Sequence, residues 1–112
     1  MILDRINPED LFPTEKQGPA VLGKIEYKVN EQREFEGAYI ATNERLIMNV
    51  DMNGQFYYRN IPYNEISSVE QIEDTIWMGF EVGKVAMREI QNGDISEFIE
   101  YVQRQIEKSN KR

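Results

Sequence analysis

The chain has 112 residues, of which 40% are hydrophobic and 29% are charged, and its formal net charge at pH 7 is −7. This length suits one domain with a single core, and no apolar run approaches the roughly 18 residues that span a bilayer. The absence of Cys and His excludes disulfides, thiolate nucleophiles and Cys-ligated zinc, and removes the commonest general base. The acidic balance argues against nucleic acid and anionic lipid as main partners, since both are bound through Lys and Arg.

The N-terminal residues predict a cytoplasmic protein that begins with a short helix. Residues 1–8 lack the basic region, long apolar stretch and small-residue cleavage site of a secretory signal. Residues 7–10, Asn-Pro-Glu-Asp, offer a capping side chain, a proline at the first helical position and acids in the first turn. Pro13 limits this helix to one or two turns, because proline interrupts helical hydrogen bonding.

Seven short segments then predict β-strands. In residues 20–29 the apolar side chains Ile25, Tyr27 and Val29 alternate with charged ones, which is the period of a half-buried strand. The polar residues 30–37 predict a loop and the start of the next strand. The remaining strands are predicted at 39–41, 46–50, 55–61, 66–72, 75–80 and 84–90. Within 66–72 the apolar residues fit a period of three as well as two.

Two turn signals surround the predicted strand 55–61. Asn53 and Gly54 predict a two-residue hairpin turn, because Asn-Gly tolerates the positive φ angles that this turn demands. Pro62 ends that strand or places it at an edge, since proline has no N–H for the ladder. These signals indicate a meander of short antiparallel strands.

The stretch Thr42-Asn43-Glu44-Arg45 is interpreted as a tight turn and not as a catalytic site. It joins two strands within four residues, and Asn enters left-handed backbone conformations at low cost. A catalytic Glu44 would need a second tuned carboxylate or a nucleophile beside it. Arg45 precedes Leu46 and so lies on the other face of the strand, where its guanidinium could satisfy loop carbonyls or a carboxylate. We therefore predict an architectural role for Thr42, Asn43 and Arg45.

The hydrophobic period changes near residue 93 from two to about 3.6, which predicts one amphipathic helix. Asp94 can cap this helix, with Glu97 three residues further on. Its apolar stripe consists of Ile95, Phe98, Ile99, Val102 and Ile106. Seven strands need closure or a second layer, and one helix suits the open end of a bent sheet. We predict a mainly β domain over residues 1–112, a seven-stranded barrel or orthogonal sandwich capped by a C-terminal helix, with a core over about 9–107 and a frayed tail at 108–112.

Three segments occur in an order that resembles a known family. They are GAYIATNERLIMNV from Gly37, IPYNEISSVE at 61–70 and GDISEFIEYVQRQI from Gly93. Together they resemble bacterial pleckstrin-homology-like (PH-like) domains of the YokE type, over about residues 9–107. The resemblance implies a seven-stranded, helix-capped barrel, a scaffold that serves many ligands and has no assigned activity in this family.

Eukaryotic relatives of this fold often bind phosphoinositides through Lys and Arg around the first hairpin. In this chain the matching region, residues 24–36, holds three bases and four acids. Each basic residue near an anionic surface contributes about 1 kcal/mol, so the opposing acids leave no useful attraction. The lipid role is therefore not carried over from the resemblance.

Consecutive aromatic residues on one strand cannot all face one core. The run Phe56-Tyr57-Tyr58 must expose at least one side chain, and an outward Tyr is common at interfaces. We take Tyr57, Tyr63 and Trp77 as candidates for a surface that binds a protein partner or a second copy of the chain. The alternative is that they pack under the helix or the N-terminal segment.

The remaining polar residues predict neither a metal site nor a catalytic site. Glu65, Glu70, Glu73 and Asp74 could supply oxygens to Ca²⁺ or Mg²⁺, but they lack the acid ladder and turn glycine of a Ca²⁺ loop. No pair of groups has a spacing that predicts catalytic proximity. The sequence thus predicts a non-catalytic module for protein interaction or self-association, without metal or cofactor. Binding of lipid headgroups at a membrane surface is the alternative.

Overall fold

Seven antiparallel strands followed by one helix make up the fold, as the sequence predicts. The computed structural model describes residues 3–29, 32–81 and 83–110, with side chains for all of these except 27–29, 32 and 33. Short 3-10 helices lie at Pro8–Asp10 and Tyr63–Glu65. The other elements are β1 (Gln17–Val29), β2 (Gln32–Thr42), β3 (Leu46–Met52), β4 (Gln55–Ile61), β5 (Ile66–Ile72), β6 (Thr75–Phe80), β7 (Gly83–Asn92) and α1 (Ile95–Asn110).

The strands form one sheet in the order β4-β3-β2-β1-β7-β6-β5. This sheet curls, since Ile61 of β4 and Phe80 of β6 line the same cavity although their strands lie far apart in the order. Helix α1 packs against β1, β2 and β5, and Phe98, Ile99 and Val102 of its apolar stripe are buried. The result is a barrel that is open between β4 and β5 and is capped by the helix.

The helix begins where the sequence predicts. The Asp94 carboxylate accepts a hydrogen bond of 3.0 Å from the Glu97 N–H, which satisfies one of the free donors of the first turn. One turn further on, the ring of Phe98 stacks on Tyr39 of β2 with 6.1 Å between the centroids. The cap and this aromatic pair fix the helix against the inner face of the sheet.

Several elements are longer than predicted. Most of the polar segment 30–37 is strand and not loop, because β2 begins at Gln32 and pairs with β1 through Lys24↔Glu36 and Glu26↔Glu34. Ladder hydrogen bonds use the backbone, so polar side chains on the outer face do not end a strand. Helix α1 continues to Asn110, three residues into the predicted frayed tail. The remaining two residues of that tail lie outside the described part of the chain.

A β-bulge explains the ambiguous period in β5. Ile66 pairs with Phe80 and Ser68 with Gly79, so two steps on β5 match one step on β6. The extra residue places both Ile66 and Val69 in the core, three positions apart, and leaves Ile72 exposed. The period of three in the sequence is thus the mark of a bulged strand.

Strand β3 is buried on both faces, because the N-terminal segment covers its outer face. Ile47 and Asn49 point away from the main core, yet both are buried. The Asn49 amide donates a hydrogen bond of 2.8 Å to the carbonyl oxygen of Leu3, whose side chain is also buried. Residues near the N-terminus therefore form a second layer over this part of the sheet.

The hairpin between β3 and β4 has the predicted two-residue turn. Asn53 and Gly54 have φ angles of 57° and 89°, and Met52 pairs directly with Gln55. The Gly54 N–H donates a hydrogen bond of 2.8 Å to the Asp51 carboxylate. These contacts set the register in which β4 presents its side chains.

Candidate functional site

The turn between β2 and β3 is held by hydrogen bonds from its own side chains. The Thr42 hydroxyl oxygen accepts bonds from the N–H groups of Glu44 and Arg45, at 3.1 and 3.0 Å. The Asn43 side chain accepts a bond of 2.6 Å from the Lys16 N–H, and the Asn43 N–H donates to the Lys16 carbonyl at 3.1 Å. The turn therefore ties the N-terminal segment to the barrel.

Arg45 forms a buried, two-pronged ion pair with Glu15. Its Nε and Nη2 atoms lie 2.8 and 3.0 Å from the two carboxylate oxygens of Glu15. The side chains are 7% and 0% exposed, respectively. Parallel N–H···O bonds of this kind are the strongest geometry available to an arginine and a carboxylate.

The other donors of Arg45 are also used. Nη1 donates to the Tyr58 hydroxyl at 3.0 Å and to the Asn60 side-chain oxygen at 2.6 Å, and Nη2 donates to the Asp10 carbonyl at 3.1 Å. The guanidinium also lies 4.1 Å from the centroid of the Phe12 ring. Arg45 thus joins the N-terminal segment, the turn and β4 in one network.

The protonation states in this network are fixed. Burial alone would raise the pKa of Glu15, but hydrogen bonds from Arg45, Thr42 and the Phe12 N–H lower it below its ordinary value. The bond to Glu15 raises the pKa of Arg45 further. Both groups stay charged at neutral pH, so neither is poised for proton transfer. The hydrogen bonds of this network join the turn to the N-terminal segment and to β4.

The three aromatic candidates lie in different environments. Tyr63 is only 5% exposed and donates a hydrogen bond of 2.6 Å to the Thr42 carbonyl, and its burial raises its pKa. The expectation that Tyr63 faces outward is wrong, because the 3-10 helix at Tyr63–Glu65 turns it into the core. Trp77 is partly exposed on β6, with the Arg88 guanidinium 5.9 Å from its ring centroid. Tyr57 is 51% exposed.

Strand β4 carries three adjacent exposed aromatic side chains. Phe56, Tyr57 and Tyr58 are 48%, 51% and 51% exposed, although they alternate between the two faces of the strand. Tyr57 shares the inner face with its partner Val50, whereas Phe56 and Tyr58 share the outer face with Asp51 and Asn49. Both faces are open because β4 ends the sheet.

The two edge strands differ in how their free backbone is protected. Strand β5 carries the bulge and is covered by α1, whose Gln103 side chain donates a hydrogen bond of 3.1 Å to the Val69 carbonyl. Strand β4 pairs with β3 without a bulge, and Arg59 is its one charged residue. Bulges, helices and repeated charges are the usual means of blocking edge pairing. In the described part of the chain, β4 has the less protected edge.

The described residues form neither a metal site nor a membrane-spanning helix. No group of three acidic side chains gathers closely enough to hold a metal ion within the described residues, and Glu70 faces Lys84 at 3.5 Å. None of the described helices is both long and apolar enough to cross a membrane. For the lipid alternative, the bases at 28 and 33 have no described side chains, and Lys24 pairs with Glu89 at 3.4 Å.

Comparisons with known proteins agree with the geometry. The chain resembles a crystal structure described as the C-terminal domain of an unknown protein from Leishmania infantum, with a TM-score of 0.58 and 12% identity. The match covers 82% of this chain and 84% of that one, and at this identity it shows the fold alone. No curated protein matches the chain. The family profile described as bacterial PH domain matches residues 16–104, and the chain therefore belongs to the bacterial PH domain family.

Proposed function

We propose that this domain is a non-catalytic interaction module that binds an extended segment of another protein along the free edge of β4. The observation that carries the proposal is the half-exposed aromatic run Phe56-Tyr57-Tyr58 on the less protected edge strand. An added strand gains main-chain hydrogen bonds from the edge and side-chain contacts on both faces. Membership in the bacterial PH domain family supports a binding scaffold but names no ligand.

The available surface fits a transient complex. A half-exposed aromatic side chain offers about 100 Å², so three of them offer about 300 Å², or roughly 7 kcal/mol at 25 cal/mol per Å². Four main-chain hydrogen bonds add about 4 kcal/mol. Association costs an estimated 4–15 kcal/mol, so we expect micromolar or weaker affinity.

Charge favours a basic partner over a second copy of the chain. Each copy carries a formal charge of −7, and like net charges repel as two molecules approach. A partner rich in Lys or Arg would instead be attracted by the net negative charge of the chain. Self-association through β4 is then one of the outcomes of the test.

The test places a photo-cross-linking amino acid at single positions of the full chain and identifies cross-linked proteins from the native lysate by mass spectrometry. Position 57 probes β4, and position 107 on the exposed face of α1 is the control. We expect a product that forms at position 57 and not at position 107. A product containing only this chain would instead assign self-association to β4.

Paired variants show whether the captured protein depends on the aromatic edge. The double variant Phe56→Ser/Tyr57→Ser should lose the partner, whereas Ile72→Ser, an exposed residue of the covered edge β5, should keep it. Both variants alter exposed side chains, so their melting temperatures should be comparable. Retention of the partner by the β4 variant, or equal capture at position 107, would contradict the proposal.

A further inference from the structure

An apolar cavity lies on the inner face of the sheet, and its lining includes Ile61 of β4 and Phe80 of β6. It has a volume of about 160 Å³ and is lined by side chains from every strand except β5. Met48, Met52 and Phe80 are partly exposed around it, while Tyr39 is fully buried where its ring meets the helix. A ligand could enter from solvent without unfolding the barrel.

Arg59 is the one charged side chain among the described residues that line this cavity. It lies between Tyr57 and Ile61 on the strand face that points toward the core, opposite Met48 of β3. Unlike Arg45 and Arg88, which pair with Glu15 and Glu26, Arg59 has no ion pair with any described residue. An unpaired guanidinium beside an apolar cavity offers a site for an anion attached to an apolar group.

We infer that this cavity binds a medium-chain monocarboxylate, with its hydrocarbon tail among the apolar side chains and its carboxylate on Arg59. A cavity of about 150 Å³ holds a benzene molecule, so the volume of about 160 Å³ here suits roughly the last six carbons of such a chain. Met48 and Met52 can adapt to such a tail, because Met is unbranched and flexible. The guanidinium matches a carboxylate with two parallel hydrogen bonds.

A carboxylate fits this site better than a phosphate does. Glu65 and Glu81 line the adjoining cleft, which also includes Arg59. These carboxylates oppose a second negative charge next to the arginine, so a monoanion is favoured over a phosphate monoester that carries nearly two. Arg59 and Ile61 belong to β4, but binding of this ligand needs no partner protein, so it is tested separately from the proposed partner segment.

The test follows the methyl groups of Met48, Met52 and Val50 by NMR while the full chain is titrated with octanoate. We expect saturable shifts confined to the cavity. Octylammonium, which has the same tail and the opposite charge, should bind at least about tenfold more weakly, the usual loss when a charge-assisted hydrogen bond is missing. Absence of saturable shifts with octanoate would overturn the inference.

Two variants of equal charge separate the Arg59 contact from general electrostatics. Arg59→Gln should weaken octanoate binding about tenfold, whereas Lys84→Gln on β7 should leave it unchanged. Equal effects would mean that net charge and not Arg59 attracts the ligand, which contradicts the site. Tighter binding of octyl phosphate than of octanoate, or binding only to phosphatidylglycerol vesicles, would replace the carboxylate with a lipid headgroup and overturn the inference.

Discussion

Removing the Arg45 side chain should destabilise the whole domain. Arg45→Met deletes both bonds to Glu15 and the donors to Tyr58, Asn60 and the Asp10 carbonyl. The Glu15 carboxylate, 0% exposed, would keep only its bonds from the Thr42 hydroxyl at 2.6 Å and the Phe12 N–H at 2.9 Å. A buried charge would then lack its counter-ion, which is among the costliest changes in a protein interior.

The size of this effect follows from the burial of the pair. Breaking a buried ion pair by removing one partner costs about 3–5 kcal/mol, a large share of the roughly 5–15 kcal/mol that stabilises a small domain. At about 4–5 °C per kcal/mol for this chain length, the melting temperature should fall by roughly 12–25 °C. The double variant Glu15→Met/Arg45→Met should be more stable than Arg45→Met, because it leaves no uncompensated charge.

Urea unfolding of the four members of this double-mutant cycle measures the coupling directly. If the two residues are coupled, the summed losses of unfolding free energy in the two single variants should exceed the loss in the double variant by more than about 1 kcal/mol. Additive costs would refute the coupling of Glu15 to Arg45. A loss below about 1 kcal/mol for Arg45→Met would refute the buried pair itself.

The same pair should make the stability of the domain depend on pH in the acid range. Because the pKa of Glu15 is lowered in the folded state, its contribution is complete above the ordinary Glu value of about 4.3 and is lost as the pH falls through the folded value. Glu15→Gln should therefore unfold with a shallower dependence on pH below about 4. If Glu15→Gln and the unaltered chain lose stability equally as the pH falls, other carboxylates control the acid unfolding.

Three further predictions concern the tyrosines, two glycines and the helix cap. Burial raises the pKa of Tyr39 and Tyr63. Their contribution to the free energy of unfolding should be complete below about pH 10 and then fall by about 1.4 kcal/mol per pH unit for each residue. Equal urea midpoints at pH 9 and 11 would contradict this. Gly93→Ala should lower the free energy of unfolding far more than Gly54→Ala does. Both glycines have positive φ, but a Cβ at position 93 would collide with the backbone of β1. The space at position 54 is open, so the loss there is about 1 kcal/mol. Similar melting temperatures for the two variants would reject that difference. Asp94→Ala should cost about 1 kcal/mol through its lost bond to the Glu97 N–H, and no change in thermal unfolding would show that the cap is dispensable.

The local signals predict the middle of the chain well. The Asn53-Gly54 turn and Pro62 enclose β4, and the structure gives it the predicted bounds of 55 and 61. The bounds of β5 and β6 also match, because turns fix their ends. Backbone preferences act within a few residues, so they can be read from sequence alone.

The contacts between distant segments could not be predicted in the same way. Tyr63 is buried because a 3-10 helix turns it inward, and Ile47 is buried because residues near the N-terminus cover the outer face of β3. Neither of these causes can be recognised from neighbouring residues in the sequence.

The position of Arg59 can be recognised from the sequence, because it lies on the same face of β4 as Tyr57 and Ile61, where a core-facing side chain is expected. A charge at such a position departs from the pattern of a closed core, and such departures occur at functional or strained sites.

In the proposed complex, β4 receives a partner segment as an added strand. Amide hydrogen exchange of the chain, with and without the partner captured at position 57, tests this pairing. We expect slower exchange for amides of β4 between residues 56 and 60 in the complex, with little change in the covered edge β5. Protection confined to β5 or α1, with β4 unchanged, would contradict it.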